Sequence, residues 1–96
     1  MIDISNVFRL GTTHTLAVTD ASGATRTSAF GATTQAVLVT ATADVFVAFG
    51  VTPTATTAST FITADYPLTF RVNGSDKAAA ITGTGTSSVY VTELTR

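Results

Sequence analysis

The sequence predicts an all-β fold, a small two-sheet β-sandwich of seven or eight short antiparallel strands, and a jelly-roll is one topology compatible with it. Three observations support this prediction. Apolar and polar residues alternate with a period of two, and turn-forming residues interrupt the alternation about every 8–12 residues. Threonine, whose branched Cβ suits a pleated strand, fills 22 of the 96 positions. The best helical stretch is three alanines at 78–80, which is too short to be stable.

The first predicted strand covers residues 13–19, where Leu16 and Val18 share one side and Thr15, Ala17 and Thr19 share the other. Residues 20–23, Asp-Ala-Ser-Gly, predict a turn, because aspartate bonds to the local backbone and glycine accepts a positive φ. Residues 24–30 contain few strand formers in alternation. They therefore predict a weak strand at the edge of a sheet.

The strongest predicted hairpin joins residues 36–40 to residues 45–49, since both segments are dense in β-forming residues. Residues 41–44 would supply the reversal. Residues 51–60 have neither an apolar period nor a charge, and they include a proline. They predict a surface loop, whose end is anchored by Phe61.

A second hairpin is predicted around residues 73–74, Asn-Gly, which is a strong tight-turn signal. Residues 66–72 form the strand before the turn, with Pro67 near its start, where a missing backbone donor is tolerated. Residues 77–82 form the strand after it, and residues 88–94 form the last strand. The apolar face of the strand at 66–72 consists of Tyr66, Leu68, Phe70 and Val72.

The regular pattern fills a single domain, residues 12–96, and an apolar N-terminal arm, residues 1–11, precedes it. One domain is expected for a chain of this length. We expect the arm to pair with a neighbouring subunit through its large apolar side chains, which are Ile4, Val7, Phe8 and Leu10.

Composition limits the classes of partner. Charged residues are 11% of the chain, against about 25% in an average soluble domain. Such a surface is hard to keep soluble as a free monomer, so we expect a homo-oligomer, either a dimer or a trimer. A net charge of −1 gives no electrostatic basis for nucleic-acid binding. The chain has no apolar run of about 20 residues and no secretory signal pattern, so no membrane partner is expected.

The sequence contains no arrangement typical of a catalytic or metal site, so we expect neither an enzyme nor a bound cofactor. The single histidine, His14, has no nearby ligands or nucleophile in the sequence, and a structural or solvated role is expected for it. A glycosidase-type carboxylate pair could form in space, although the chain has one glutamate. Four aspartates fall in predicted turns, which explains them as turn formers: Asp20, Asp44, Asp65 and Asp76.

Three segments in order resemble a family of short virion proteins of tailed bacteriophages. Residues 35–56 contain Gln-Ala-Val-Leu-Val, Asp-Val-Phe-Val-Ala-Phe-Gly and Pro-Thr-Ala-Thr. Residues 66–78 contain Tyr-Pro-Leu-Thr-Phe-Arg-Val and Gly-Ser-Asp-Lys-Ala, and residues 89–94 read Val-Tyr-Val-Thr-Glu-Leu. The chain departs from the family pattern at 73–75, where Asn-Gly-Ser replaces a Pro-Gly pair, and at 78–80, where alanines replace valines.

The resemblance implies a structural protein on the surface of the phage head, assembled in the host cytoplasm. As a capsid decoration or cement protein it would bridge subunits of the major capsid protein, and symmetric repetition would multiply weak contacts. We expect the arm and the loop at 51–60 to provide the contacts. The candidate interface residues are Ile4, Val7, Phe8, Leu10, Pro53, Thr54 and Phe61.

Other functions fit the same fold. A head-spike, fibre, tail or connector component would be a virion protein in a different position. A receptor- or carbohydrate-binding module would use a surface of the sandwich. Sugar sites usually present exposed aromatic rings, and the chain has no tryptophan and two tyrosines, which disfavours this alternative.

Overall fold

The computed structural model describes residues 9–21 and 23–95, and within them it contains seven β-strands and no helix. All pairings between these strands are antiparallel, so the prediction of an all-β fold is confirmed. The strands are β1 (Arg9–Thr19), β2 (Ala36–Ala41), β3 (Val45–Gly50), β4 (Thr60–Ile62), β5 (Leu68–Arg71), β6 (Lys77–Thr82) and β7 (Thr86–Thr95).

The strands form two sheets that pack face to face around one core, which confirms the predicted sandwich. The four-stranded sheet has the order β1-β7-β2-β5, and the three-stranded sheet has the order β4-β3-β6. Both sheets contribute fully buried valines, among them Val39, Val45 and Val89. A jelly-roll has eight strands, whereas the described residues contribute seven, so that topology is not confirmed.

The predicted faces of the individual strands agree with the observed burial, except that Tyr66, predicted on the apolar face at 66–72, precedes β5 and is 62% exposed. In β1, Leu16 and Val18 are buried while Thr15 is exposed. In β5, Leu68 and Phe70 pack against the core, while the residues between and after them are exposed. Alternation therefore identified which side chains face inward, because the side-chain period of a strand is two.

The first predicted hairpin is wrong, because β2 and β3 belong to different sheets. The chain crosses the sandwich at 42–44, and the crossing is held by contacts with distant segments. Ala43 donates its N–H to the Ser87 hydroxyl at 3.1 Å. The Asp44 carboxylate accepts the N–H of Ala64 at 2.7 Å. A corner of this kind has the same local turn chemistry as a hairpin, so the sequence did not distinguish them.

The second predicted hairpin is also a corner between sheets, since β5 and β6 do not pair. The turn itself is present. Asp76 accepts the N–H of Asn73 at 3.1 Å, and Ser75 has a positive φ of 68°. Position 74 requires glycine because of close packing and not because of a positive φ: a Cβ there would lie 2.0 Å from the carbonyl oxygen of Ala32.

The predicted weak strand at 24–30 is not a strand. Its one ladder contact is an isolated bridge from Arg26 to Ala79, and the Thr27 N–H donates to the Ala78 carbonyl at 2.8 Å. The segment thus runs along the outer edge of β6. The predicted loop at 51–60 ends in a short strand, β4, which the sequence did not reveal because only Phe61 and Ile62 are large and apolar there.

Candidate interaction surfaces

One candidate site is a cross-strand pair of phenylalanines on the outer face of the three-stranded sheet. Phe46 of β3 lies opposite Phe61 of β4, with ring centroids 5.3 Å apart and a 57° angle between the rings. Their strand neighbours Val45 and Ile62 are fully buried, so alternation turns both rings outward. Phe61 remains 50% exposed. Ile81 of β6, opposite Phe46 on its other side, extends the row.

The paired rings form one wall of an open cleft of about 480 Å³. Its other walls are the corner between β2 and β3 and the turn between β6 and β7. This site combines an aromatic surface with one carboxylate, a combination suited to an apolar or amphipathic partner group. The lining residues are Ala43, Asp44, Phe46, Phe61, Gly83 and Thr84.

The loop at 51–60, predicted as a contact surface, is tied to the body of the protein. Arg26 donates from Nε to the Pro53 carbonyl at 2.5 Å and from its terminal nitrogen to the Thr54 hydroxyl at 3.2 Å. Pro53 is buried and Thr54 is exposed. Of the loop, Pro53 and Ala55 are buried, while most of the other residues are exposed, including Thr54 and Val51, which is 74% exposed.

The outer face of the four-stranded sheet is a second candidate surface. Tyr90 of β7, 41% exposed, lies between Thr15 of β1 and Thr40 of β2. In the adjacent row, the hydroxyls of Thr13 and Thr92 are 3.0 Å apart. This face is polar through hydroxyl groups and presents very little charge, as the threonine content predicts.

The predicted interface residues are not gathered in one place. Leu10 lies in β1 and is 73% exposed, whereas Phe61 belongs to the opposite sheet. Ile4, Val7 and Phe8 lie outside the described residues. Sequence reasoning missed Phe46, although its position between two buried valines of β3 was a usable signal that it faces outward.

A separate polar cluster joins the single histidine to the single glutamate. His14 Nε2 and Glu93 Oε2 are 2.7 Å apart. The other carboxylate oxygen, Oε1, accepts the Thr34 hydroxyl at 2.6 Å and the Gly31 N–H at 2.8 Å. The His14 ring also contacts the Phe30 ring, with centroids 5.5 Å apart. The cluster fastens the segment before β2 to β1 and β7.

Burial of Glu93, which is 7% exposed, on its own raises the pKa of its carboxyl group. Hydrogen bonds from Thr34, Gly31 and His14, together with the charge of His14, outweigh burial and hold that pKa below its ordinary value. The carboxylate is therefore kept ionised and saturated with donors. This arrangement stabilises the fold, and the expected structural role of His14 fits it.

Across residues 9–21 and 23–95, no three His, Asp or Glu side chains come close enough together to hold a metal ion. Nor does this part of the chain contain a helix of the length and apolarity needed to cross a membrane. Comparison with protein-family models, with curated proteins and with solved structures finds no match to this chain.

Proposed function

We propose that the protein is a structural virion protein of a tailed bacteriophage, which decorates the capsid and stabilises the head lattice by bridging major-capsid subunits. It acts by binding and not by catalysis. The resemblance of three ordered segments supports the family, and the composition of the surface supports the mode of action. Repetition around the capsid symmetry allows each contact to be weak while the assembled layer is strong.

The observation that carries the proposal is the Phe46–Phe61 cleft. An exposed apolar patch rimmed by polar residues often marks an interaction site, and here the half-exposed Phe61 packs on the partly buried Phe46 beside Asp44. Contacts of this kind, with an aromatic side chain at the centre and polar groups around it, provide most of the binding free energy at protein interfaces. The loop at 51–60 offers further exposed residues to the capsid protein, among them Val51 and Thr54, and the Arg26 guanidinium lies beside Thr54.

The copy number of the protein per virion tests its position, and quantitative mass spectrometry of purified particles measures that number. A protein that decorates an icosahedral lattice is present in on the order of hundreds of copies per virion, because the symmetry repeats its binding site. A connector or tail component is present in about a dozen copies or fewer. A count in the lower range would contradict the decoration function and favour a tail, connector or spike component.

The contact surface is tested by substituting Phe61 and measuring cosedimentation with heads from phage that lack the gene. Phe61→Ser should weaken binding about tenfold or more, because it removes the exposed half of the aromatic pair. Tyr66→Ser is the matched control, since Tyr66 is an aromatic residue outside the cleft that is 62% exposed, against 50% for Phe61. If both variants bind the heads as strongly as the unmodified protein does, the cleft does not face the capsid.

The same cleft favours one second candidate, a carbohydrate-binding module. Two tilted aromatic rings beside the Asp44 carboxylate could stack against a sugar ring and accept a hydrogen bond from its hydroxyl groups. Titration with host-surface polysaccharide, followed by the chemical shifts of the two phenylalanine rings, distinguishes the candidates. Saturable shifts in wild type that are absent in Phe61→Ser would favour the sugar-binding function.

A further inference from the structure

The four edges of the two sheets differ in how they are protected. A free edge offers unpaired N–H and C=O groups to any other strand, and proteins usually shorten, cover or interrupt such edges. The edge strand β4 has three residues, and β5 has four residues and follows Pro67. The edge of β6 is covered by the segment from Arg26 to Phe30. Two N–H groups of this segment donate to backbone carbonyls, one within β6 and one in the residue just before it.

The remaining edge, β1, has none of these protections along most of its length. It is 11 residues long and, among the described residues, it pairs with β7 alone. A shift of register between Leu10 and Thr13 interrupts its first part. From Thr13 to Thr19 the pairing with β7 is continuous, so the free edge is uninterrupted over seven residues. This stretch contains no proline, lysine, arginine, aspartate or glutamate.

From this edge we infer that β1 pairs antiparallel with β1 of a second copy, which joins two four-stranded sheets into one continuous eight-stranded sheet. The one ionisable side chain of this stretch, His14, is paired with Glu93 of the same chain, so two identical edges meet without unpaired like charges. A twofold axis pairs both free edges at once and leaves neither exposed. A charged partner strand would find no unpaired complementary charge on this stretch of β1. The inference goes beyond the capsid function, and it concerns the free protein.

The geometry favours a register centred on Leu16. This register aligns the two continuous stretches completely, so that Thr15 lies opposite Ala17 of the second copy and Thr13 lies opposite Thr19. The chain segment next to this edge carries small side chains. Thr27 contacts β6 and the ring of Phe30 contacts His14 of β1, and the two residues between them, Ser28 and Ala29, are small and exposed.

The register makes the inference testable by charge. The double variant Thr15→Lys/Ala17→Lys places like charges opposite each other twice across the twofold axis. The double variant Thr15→Lys/Ala17→Glu places opposite charges there at the same two exposed positions. Thr57→Lys/Ala58→Lys is the control, because it adds the same charge to an exposed loop. Circular dichroism checks that every variant keeps the β fold.

Sedimentation equilibrium of the full chain then measures the dimer dissociation constant. We expect a dimer for the unmodified protein and for the control, a dissociation constant about tenfold higher for Lys/Lys, and a value within about threefold of wild type for Lys/Glu. A monomeric wild type at millimolar concentration would overturn the inference. Equal dissociation constants for Lys/Lys and Lys/Glu would overturn it as well.

Hydrogen exchange identifies what covers the edge. If a second copy covers it, the β1 amides that point away from β7 become protected as the protein concentration rises through the dissociation constant. Protection that does not depend on concentration would mean that the same chain covers β1, and this would overturn the inference. Neither measurement requires a capsid, so failure here leaves the head-binding experiment as an independent test of the proposed function.

Discussion

Removal of the Glu93 carboxylate should destabilise the protein more than any surface substitution. Its oxygens accept from Thr34 at 2.6 Å, from Gly31 at 2.8 Å and pair with His14 at 2.7 Å. Charge-assisted hydrogen bonds contribute about 1.5–3 kcal/mol each, which would sum to about 5–9 kcal/mol. The sum overcounts, because the donors regain part of their hydration in the variant. Breaking a buried ionic cluster costs about 3–5 kcal/mol, and we expect Glu93→Ala to fall in that range.

Urea denaturation followed by circular dichroism measures this cost as a change in the free energy of unfolding. In thermal unfolding, a domain of this size loses roughly 4–8 °C of melting temperature per kcal/mol, so Glu93→Ala should melt at least about 12 °C lower. Thr34→Val removes one donor with little change of shape and should cost about 1.5–3 kcal/mol. A loss below about 1 kcal/mol for Glu93→Ala would refute a stabilising role for the cluster.

The dependence on pH isolates the charge of Glu93 from its shape. Because the folded-state pKa of Glu93 lies below its ordinary value of 4.5, ionised Glu93 stabilises the fold fully above that value. The contribution is lost as the pH falls through the lowered pKa. Glu93→Gln keeps the size and one acceptor oxygen but cannot ionise. The stability difference between wild type and this variant should shrink as the pH falls below 4.5. A difference that does not change as the pH is lowered through the acid range would refute the argument.

Two further predictions concern packing. Gly74→Ala should cost at least about 2 kcal/mol, because the new Cβ would lie 2.0 Å from a facing backbone oxygen; chemical denaturation measures this, and a neutral effect would contradict the close approach. Ile62→Ala should cost about 2–5 kcal/mol, since Ile62 is fully buried in the core. The adjacent half-exposed Phe61→Ala should cost about 1 kcal/mol, and equal costs at the two positions would contradict the assignment of faces in β4.

Sequence reasoning predicted the faces of the strands but not their partners. The burial of Leu16 and Val18 follows from alternation, which is a local property of a strand. The separation of β2 from β3 does not follow from any local pattern, because a turn at 42–44 can return the chain to the same sheet or pass it to the other one. The choice depends on which distant strands pair, and here β2 pairs with β5 and β7.

The cluster around Glu93 was hidden for the same reason. His14 and Glu93 are 79 residues apart in the chain, and they meet because the first and last described strands are neighbours in the sheet. The pairing places His14 opposite Val91, so a side chain two residues further along β7 is within reach on the same face. Once this register was known, one histidine and one glutamate on the same face would have predicted the contact.

The buried acids also explain how a chain with so few charges uses them. Asp76 and Glu93 are both buried, the first bonding the corner between β5 and β6 and the second fastening residues 31–34 to β7. The surface is therefore even poorer in charge than the composition indicates. Hydration of the outer faces then depends on threonine hydroxyls, which hold water less strongly than charges do. This lowers the cost of covering those faces, so association with a second copy or with a capsid loses little hydration free energy.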